Sequence, residues 1–197
     1  MTRTVTALRA VTAGRVAVDL DGEPWRTLPL EAVVRAGLAA GRPLERAQAR
    51  TLARELRRLD ALRVATGALR RRGRSRRELA ARLEERGVAR RDRERTLATL
   101  SSVGLVDDTR FATERARTLA DRGSGDALIR ADLEARGVAA EAVASALEAL
   151  EPERERAEVL VARHGRGPRT ARRLAARGFD PDLVADLVAH DHAEPLE

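Results

Sequence analysis

Hydrophobic positions change their period once along this chain. Up to residue 45 the pattern is that of short strands. Val5 to Val11 and Val16 to Leu20 are rich in β-branched residues, and Val16, Val18 and Leu20 alternate as one face. Asp21-Gly22 has the composition of a tight hairpin turn before Glu23 to Thr27. A small antiparallel meander or hairpin is expected there. Pro29 then opens a short helix through Val33 and Val34, stopped at Gly37 or Gly41. From Leu44 onward the period is helical, with Leu52, Leu56, Leu59, Leu62 and Leu69 on one stripe of a helix that runs to Gly73.

Beyond that point the sequence repeats itself. Glu78-Leu-Ala-Ala-Arg-Leu-Glu-Glu-Arg-Gly87-Val88 returns as Leu128-Ile-Arg-Ala-Asp-Leu-Glu-Ala-Arg-Gly137-Val138 and again as Arg169-Thr-Ala-Arg-Arg-Leu-Ala-Ala-Arg-Gly178-Phe179. Leu83, Leu133 and Leu174 are equivalent, as are Arg86, Arg136 and Arg177. Gly87, Gly137 and Gly178 stand where a left-handed residue ends a helix, each followed by an apolar residue that can pack back on it. Upstream of each unit another helix ends at Gly73, Gly123 or Gly165, and downstream come Leu97, Leu147 and Val188. The period implies a mainly α fold: tandem three-helix repeats in an elongated, curved array, preceded by the small β element. The expected division is a meander with a short helix over 1–45, a helical lead-in over 46–73, three-helix repeats over 74–123 and 124–165, and a partial repeat with an acidic tail over 166–197.

Composition narrows the picture. With two Phe, one Trp and no Tyr in 197 residues, the core must be built from Leu, Val and Ala, which suits thin helix layers better than a wide pocket. The absence of cysteine excludes thiolate catalysis, thiolate metal ligation and disulfides, and fits a reducing compartment. No apolar run reaches the length of a membrane span and no secretory leader opens the chain, so a cytoplasmic protein is expected. All 38 basic residues are Arg, which reads first as a coding bias. The net charge of +7 is unevenly spread: residues 54–95 and 163–177 are strongly basic, whereas 96–162 and 178–197 are acidic.

Two arginine clusters are the candidate binding residues. Arg70, Arg71, Arg72, Arg74, Arg76 and Arg77 form the densest run, and Arg163, Arg166, Arg169, Arg172 and Arg173 occupy the corresponding turn of the last repeat. Such runs are often no more than solvated surface. Six like charges with only Glu78 adjoining nevertheless repel one another unless something anionic lies near, so a basic stripe facing DNA phosphates or an acidic partner is expected. Base readout is not: there is no zinc-finger spacing, and aromatic residues for stacking are scarce. DNA contact should therefore be weak and indifferent to sequence.

Asp107 and Asp108 form an adjacent carboxylate pair of the kind used in acid–base work, but an Asp before a helical run to Arg122 is also a helix cap, and capping is the reading favoured. His190 and His192 have metal-binding spacing but fall on an acidic terminal tail, and His164 closes a helix, where an imidazolium complements the dipole. Gly123-Ser-Gly125 and Gly165-Arg-Gly167-Pro168 lack the spacing and the lysine of a phosphate loop and recur as joints between helices. Trp25 reads as a core residue of the meander. No nucleophile, base or metal constellation assembles, so no catalytic residue, cofactor or metal is assigned and an enzyme is not expected.

One more motif lies between the first two repeats. Gly104-Leu-Val-Asp107-Asp108-Thr-Arg-Phe111-Ala resembles the glycine, aliphatic, Asp-Asp, x, x, Phe, Ala signature of the RecX family, with Val106-Asp107-Asp108 matching its Ile-Asp-Asp. Ser75-x-x-Glu78-Leu79-x-x-x-Leu83-x-x-Arg86-Gly87 is similar to the opening of that family's first repeat, and Leu28-Pro-Leu-Glu31-x-Val-Val-x-x-Gly37-Leu38 to its amino-terminal stretch. The resemblance implies a cytoplasmic regulator that lies along RecA recombinase filaments on DNA and tunes recombinase, ATPase and coprotease activity, chiefly downward; a monomer is expected. The alternative that composition alone supports is a basic helical nucleic-acid-binding protein with no dedicated recombinase partner.

Overall fold

A computed structural model describes residues 3–189; His190, His192 and the rest of the acidic tail lie outside the described residues. The chain is mainly helical with a small antiparallel sheet at its N-terminus. It divides into two compact units, one of residues 1–68 with 83–96 and the other of residues 69–82 with 97–197.

The first unit is built on the strands β1 (Thr4–Thr12), β2 (Arg15–Leu20) and β3 (Glu23–Pro29). A two-residue strand β4 (Arg42–Pro43), which the periodicity did not suggest, pairs with β1 and gives the order β3-β2-β1-β4. Asp21 and Gly22 both take positive φ, 55° and 89°, as a tight turn between right-twisted strands demands. The alternating Val16, Val18 and Leu20 point inward together and meet Val5, Leu28 and, from helix α1 (Leu30–Arg35), Ala32 and Val33. Helix α2 (Arg46–Leu69) closes this core with Leu52. Trp25 packs half-buried against the same cluster with the Arg26 guanidinium 5.7 Å from its ring centroid. The helix ends at Leu69, four residues before the expected stop. Gly73 is not left-handed, and a Cβ there would lie in ordinary contact with the Phe111 ring, 3.7 Å away.

Helices α3 (Arg76–Glu85) and α4 (Arg90–Ser102) each contribute to both units. The second unit continues through α5 (Asp108–Asp121), α6 (Asp126–Ala135), α7 (Ala140–Glu148), α8 (Glu153–His164), α9 (Pro168–Ala176) and α10 (Pro181–Ala189). Its buried clusters group these helices in threes. Ala112 and Ala116 of α5 pack with Ile129 and Leu133 of α6 and Val143 and Ala146 of α7, while Ala157 and Val161 of α8 pack with Leu174 of α9 and Val184 of α10. Alanine facing Leu or Val lets helix axes approach closely, which is how a core with almost no aromatics is filled. In these two clusters the glycine-ended repeat is the middle helix. A repeated sequence fixes the length of a module but not which helix opens it. Among the described residues no helix is long and apolar enough to cross a membrane.

Candidate functional site: arginine clusters and repeat joints of the second unit

The expected arginines stand near joints between helices, where the carbonyls that end one helix accept from the start of another. Where α6 ends, the Arg136 carbonyl accepts from Ser75 Oγ at 2.7 Å, just ahead of α3. Where α9 ends, the Arg177 carbonyl accepts from the Gly125 N–H at 2.8 Å and the Gly178 carbonyl from the Ala127 N–H at 3.1 Å, just ahead of α6. The Arg-Gly ends of the second and third repeats thus dock on the start of the preceding repeat's helix. Ser75 and Glu78 also form a capping box, with Glu78 N–H donating to Ser75 Oγ at 3.1 Å and Ser75 N–H to Glu78 Oε2 at 3.3 Å.

Much of the first arginine run is drawn into this joint. Arg136 Nη1 reaches Glu78 Oε1 at 2.5 Å, and Arg72 approaches the same oxygen at 3.4 Å. The stem of Arg77 lies where a Cβ on Gly137 would be. Arg76 Nη1 meets Ser101 Oγ at 3.1 Å. Arg74 is half-buried and its Nε lacks a hydrogen-bond partner. Arg70 and Arg71 are left exposed, with no hydrogen-bond or ion-pair partner among the described residues.

The carboxylate pair separates into two tasks. Asp107 caps α5, its Oδ1 accepting from the Thr109 and Arg110 N–H groups at 3.0 Å each. Asp108 does not cap its own helix; its Oδ1 accepts the Arg76 N–H at 2.7 Å and so holds the first turn of α3. Phe111, at the end of the motif, packs half-buried against the α5–α6–α7 core. Behind the motif, Asp132 takes two bonds from Arg115 at 2.8 and 2.9 Å and two from Arg136 at 2.8 and 3.2 Å. The Arg115 bonds above all, opposed by partial burial and reinforced by Arg136, hold its carboxyl far below the usual carboxylate range.

The second cluster opens on a cleft of about 650 Å³ bounded by α5, the α7–α8 turn, α8 and α9. Arg163 and Arg173 line it; Arg166, Arg169 and Arg172 do not, although all are exposed, and Arg172 Nε instead donates to the Pro168 carbonyl at 3.2 Å. Sequence reasoning missed four further arginines in its walls: Arg117, Arg122, Arg156 and Arg177. Arg156 is nearly buried, donating to the Ser124 carbonyl at 2.8 Å and the Glu151 carbonyl at 3.0 Å and pairing with Asp126. Arg177 Nη1 holds the Arg122 and Gly123 carbonyls. Arg173 Nη1 lies 3.1 and 3.0 Å from the two ring nitrogens of His164, so it sits over the imidazole instead of on either lone pair. His164 closes α8 as its last residue, and desolvation, then the charges of Arg173, Arg163 and Arg177, hold its imidazole below its ordinary value. The repetition of Arg136 at Arg177 signalled a joint; nothing in the one-dimensional pattern signalled a cleft, because its arginines come from three helices.

Comparison with known proteins places this geometry. Residues 107–147, which span α5, α6 and nearly all of α7, match the family description "RecX, second three-helix domain". The chain is 42% identical over 140 residues to the regulatory protein RecX of Chromohalobacter salexigens, covering 66% of this chain and 90% of that one. It is 37% identical to the protein of the same name from Stenotrophomonas maltophilia, over 64% of this chain and 84% of that one, and 35% identical to that of Mycobacterium leprae, over 64% and 82%. In fold it resembles a crystal structure of regulatory protein RecX with a TM-score of 0.78 at 21% identity, covering 96% of this chain and 100% of that one. The structure of RecX from Lactobacillus salivarius matches with a TM-score of 0.58 at 19% identity, over 68% of this chain and 95% of that one. The motif around Asp107 and Asp108, the clustering of α5, α6 and α7 around one core and the extent of these identities lead to one assignment: the chain belongs to the RecX family.

Proposed function

We propose that this protein is a cytoplasmic, monomeric, non-enzymatic regulator that binds RecA recombinase filaments on DNA and modulates recombinase, ATPase and coprotease activity, chiefly by inhibition. The observation that carries the reading is the family assignment, combined with exposed guanidinium groups on a helical scaffold. Arg70, Arg71, Arg163 and Arg169 are exposed without a hydrogen-bond or ion-pair partner among the described residues. Cations presented in this way suit phosphate oxygens or the acidic surface of a nucleoprotein filament, where each contact releases a condensed counterion. Arg72 and Arg77 serve such contacts less, because they also lie at the joint between α3 and α6, and so does Arg76, whose guanidinium meets Ser101 of α4.

The test is RecA-driven strand exchange and ATP turnover with purified protein at ratios too low to coat the DNA. A fall in both supports the proposal. If both stay unchanged at those ratios while the protein still binds bare duplex, the proposal fails in favour of a nonspecific nucleic-acid-binding protein.

A further inference from the structure

The cleft between α5, α8 and α9 contains more positive charge than its architecture uses. Arg156 and Arg177 are occupied with backbone carbonyls and Asp126, and Arg173 with His164. Arg117, Arg122 and Arg163 line the same space, all exposed, and their guanidinium groups have no hydrogen-bond or ion-pair partner among the described residues. Three unpaired forks beside three further cations outnumber the two carboxylates of the lining, Asp121 and Glu151, and a bound anion offsets their mutual repulsion. His164 registers the same field: desolvation and three of these arginines already disfavour a further positive charge there.

The remaining walls define the body of the ligand. Leu160 and Leu150 are half-buried and Val159 is 67% exposed, giving an apolar strip beside the arginines. The His164 imidazole, with Arg173 Nη1 3.1 and 3.0 Å from its ring nitrogens, adds a flat aromatic group of the kind that nucleobases lie against. Asp121 and Glu151 supply carboxylates to the lining, which suit amino groups and oppose a second wholly anionic ligand. A volume of about 650 Å³ is in the range of small-ligand pockets. A phosphate held by arginine forks, attached to a flat and partly apolar body with amino groups, is a nucleotide.

We propose that this cleft is a nucleotide-binding site, with Arg117, Arg122 and Arg163 on the phosphate and the base laid along Val159 and Leu160 toward the Arg173–His164 pair. The site does not depend on recombinase binding. The chemistry is shared by a free nucleotide and by one unit of a single strand.

The test uses the full chain titrated separately with AMP, a short oligothymidylate, inorganic phosphate and a glutamate-rich peptide, followed by calorimetry and the His164 imidazole resonance. Binding of AMP identifies a free nucleotide as ligand, and binding of the oligomer alone identifies a strand; both support the site. In either case an entering phosphate counters the charges of Arg163, Arg173 and Arg177 and moves the His164 titration upward. Arg117→Ser and Arg163→Ser should each weaken binding about tenfold, the loss of one charged hydrogen-bonding partner, with helicity unchanged because both side chains are exposed. Arg70→Ser should leave it unaltered, which separates this site from the Arg70–Arg71 cations, Arg163 being shared with the filament contacts proposed above. The proposal is overturned if nucleotides bind no more tightly than inorganic phosphate, if only the acidic peptide binds, or if the Arg117 and Arg163 variants keep full nucleotide affinity.

Discussion

Ser75 and Arg136, separated by 61 positions, are joined by a single hydroxyl that does two things: Ser75 Oγ accepts the Glu78 N–H of its own helix and donates to the carbonyl that ends α6. Because Arg136 also returns its guanidinium to Glu78, the start of one repeat and the end of the next are held by a closed set of bonds among three residues. Ser75 is wholly buried, so each of these bonds replaces a water that cannot enter.

Ser75→Ala removes both the cap and the cross-joint donor. An N-cap serine contributes about 1 kcal/mol, and leaving the Arg136 carbonyl unsatisfied adds about 1 kcal/mol or more. The expected outcome is a lowered urea midpoint with unchanged slope. A loss well below 1 kcal/mol would show that the joint bears little of the fold's stability.

The glycines of the joints separate two reasons for being glycine. Gly125 has φ −81°, open to any residue, yet a Cβ there would fall on the Gly178 carbonyl. Gly87 has φ 72° with empty space around its missing Cβ. Gly125→Ala should therefore cost about 3 kcal/mol, the upper range for overpacking. Gly87→Ala should cost about 1 kcal/mol, the strain of a left-handed alanine. Thermal unfolding of the two variants decides the order, and the reverse order would refute the docking of α9 on α6.

That contrast marks how far the sequence was legible. The repeated Arg-Gly ends foretold helix stops, and Leu83, Leu133 and Leu174, matched by alignment alone, are all fully buried. The turn at Asp21-Gly22 and the inward face of β2 followed from local chemistry in the same way. What pairs across long separations did not follow: the β4 edge, the bond from Asp108 to the Arg76 backbone, and the cleft whose arginines come from α5, α8 and α9. Periodicity reports which side of an element is buried, not which partner buries it. The arginine run at 70–77 looked uniform as a string, yet the structure divides it between exposed cations and residues that hold a joint.

Asp132 gives the fold an acid sensitivity. Its folded pKa lies below the ordinary carboxylate value, so the unfolded chain binds the proton more readily. The stabilisation is therefore complete above the unfolded value of about 4 and is lost as pH falls through the folded one. In urea titrations Asp132→Asn should lie well below the parent at pH 7, and the two should converge as the solution is acidified below about pH 4. A gap that stays constant down to pH 2 would assign the loss to packing, not to charge.

The last prediction concerns which of the clustered arginines meet a polyanion. If phosphates are contacted, each one neutralised contributes about −0.9 to the slope of log K against log salt on duplex DNA. Arg70 and Arg71 are exposed and uncommitted, whereas Arg72 approaches Glu78 and the stem of Arg77 packs on Gly137. Arg70→Ser with Arg71→Ser should thus flatten the slope by up to about 1.8 without changing the melting temperature. Arg77→Ser should do the opposite, lowering the melting temperature through lost side-chain packing while leaving the slope near that of the parent. Fluorescence anisotropy across a salt series, paired with thermal melts, reads both quantities on the same samples. An unchanged slope in the Arg70 and Arg71 double variant would mean that those two guanidinium groups are only solvated surface and that any DNA contact lies elsewhere.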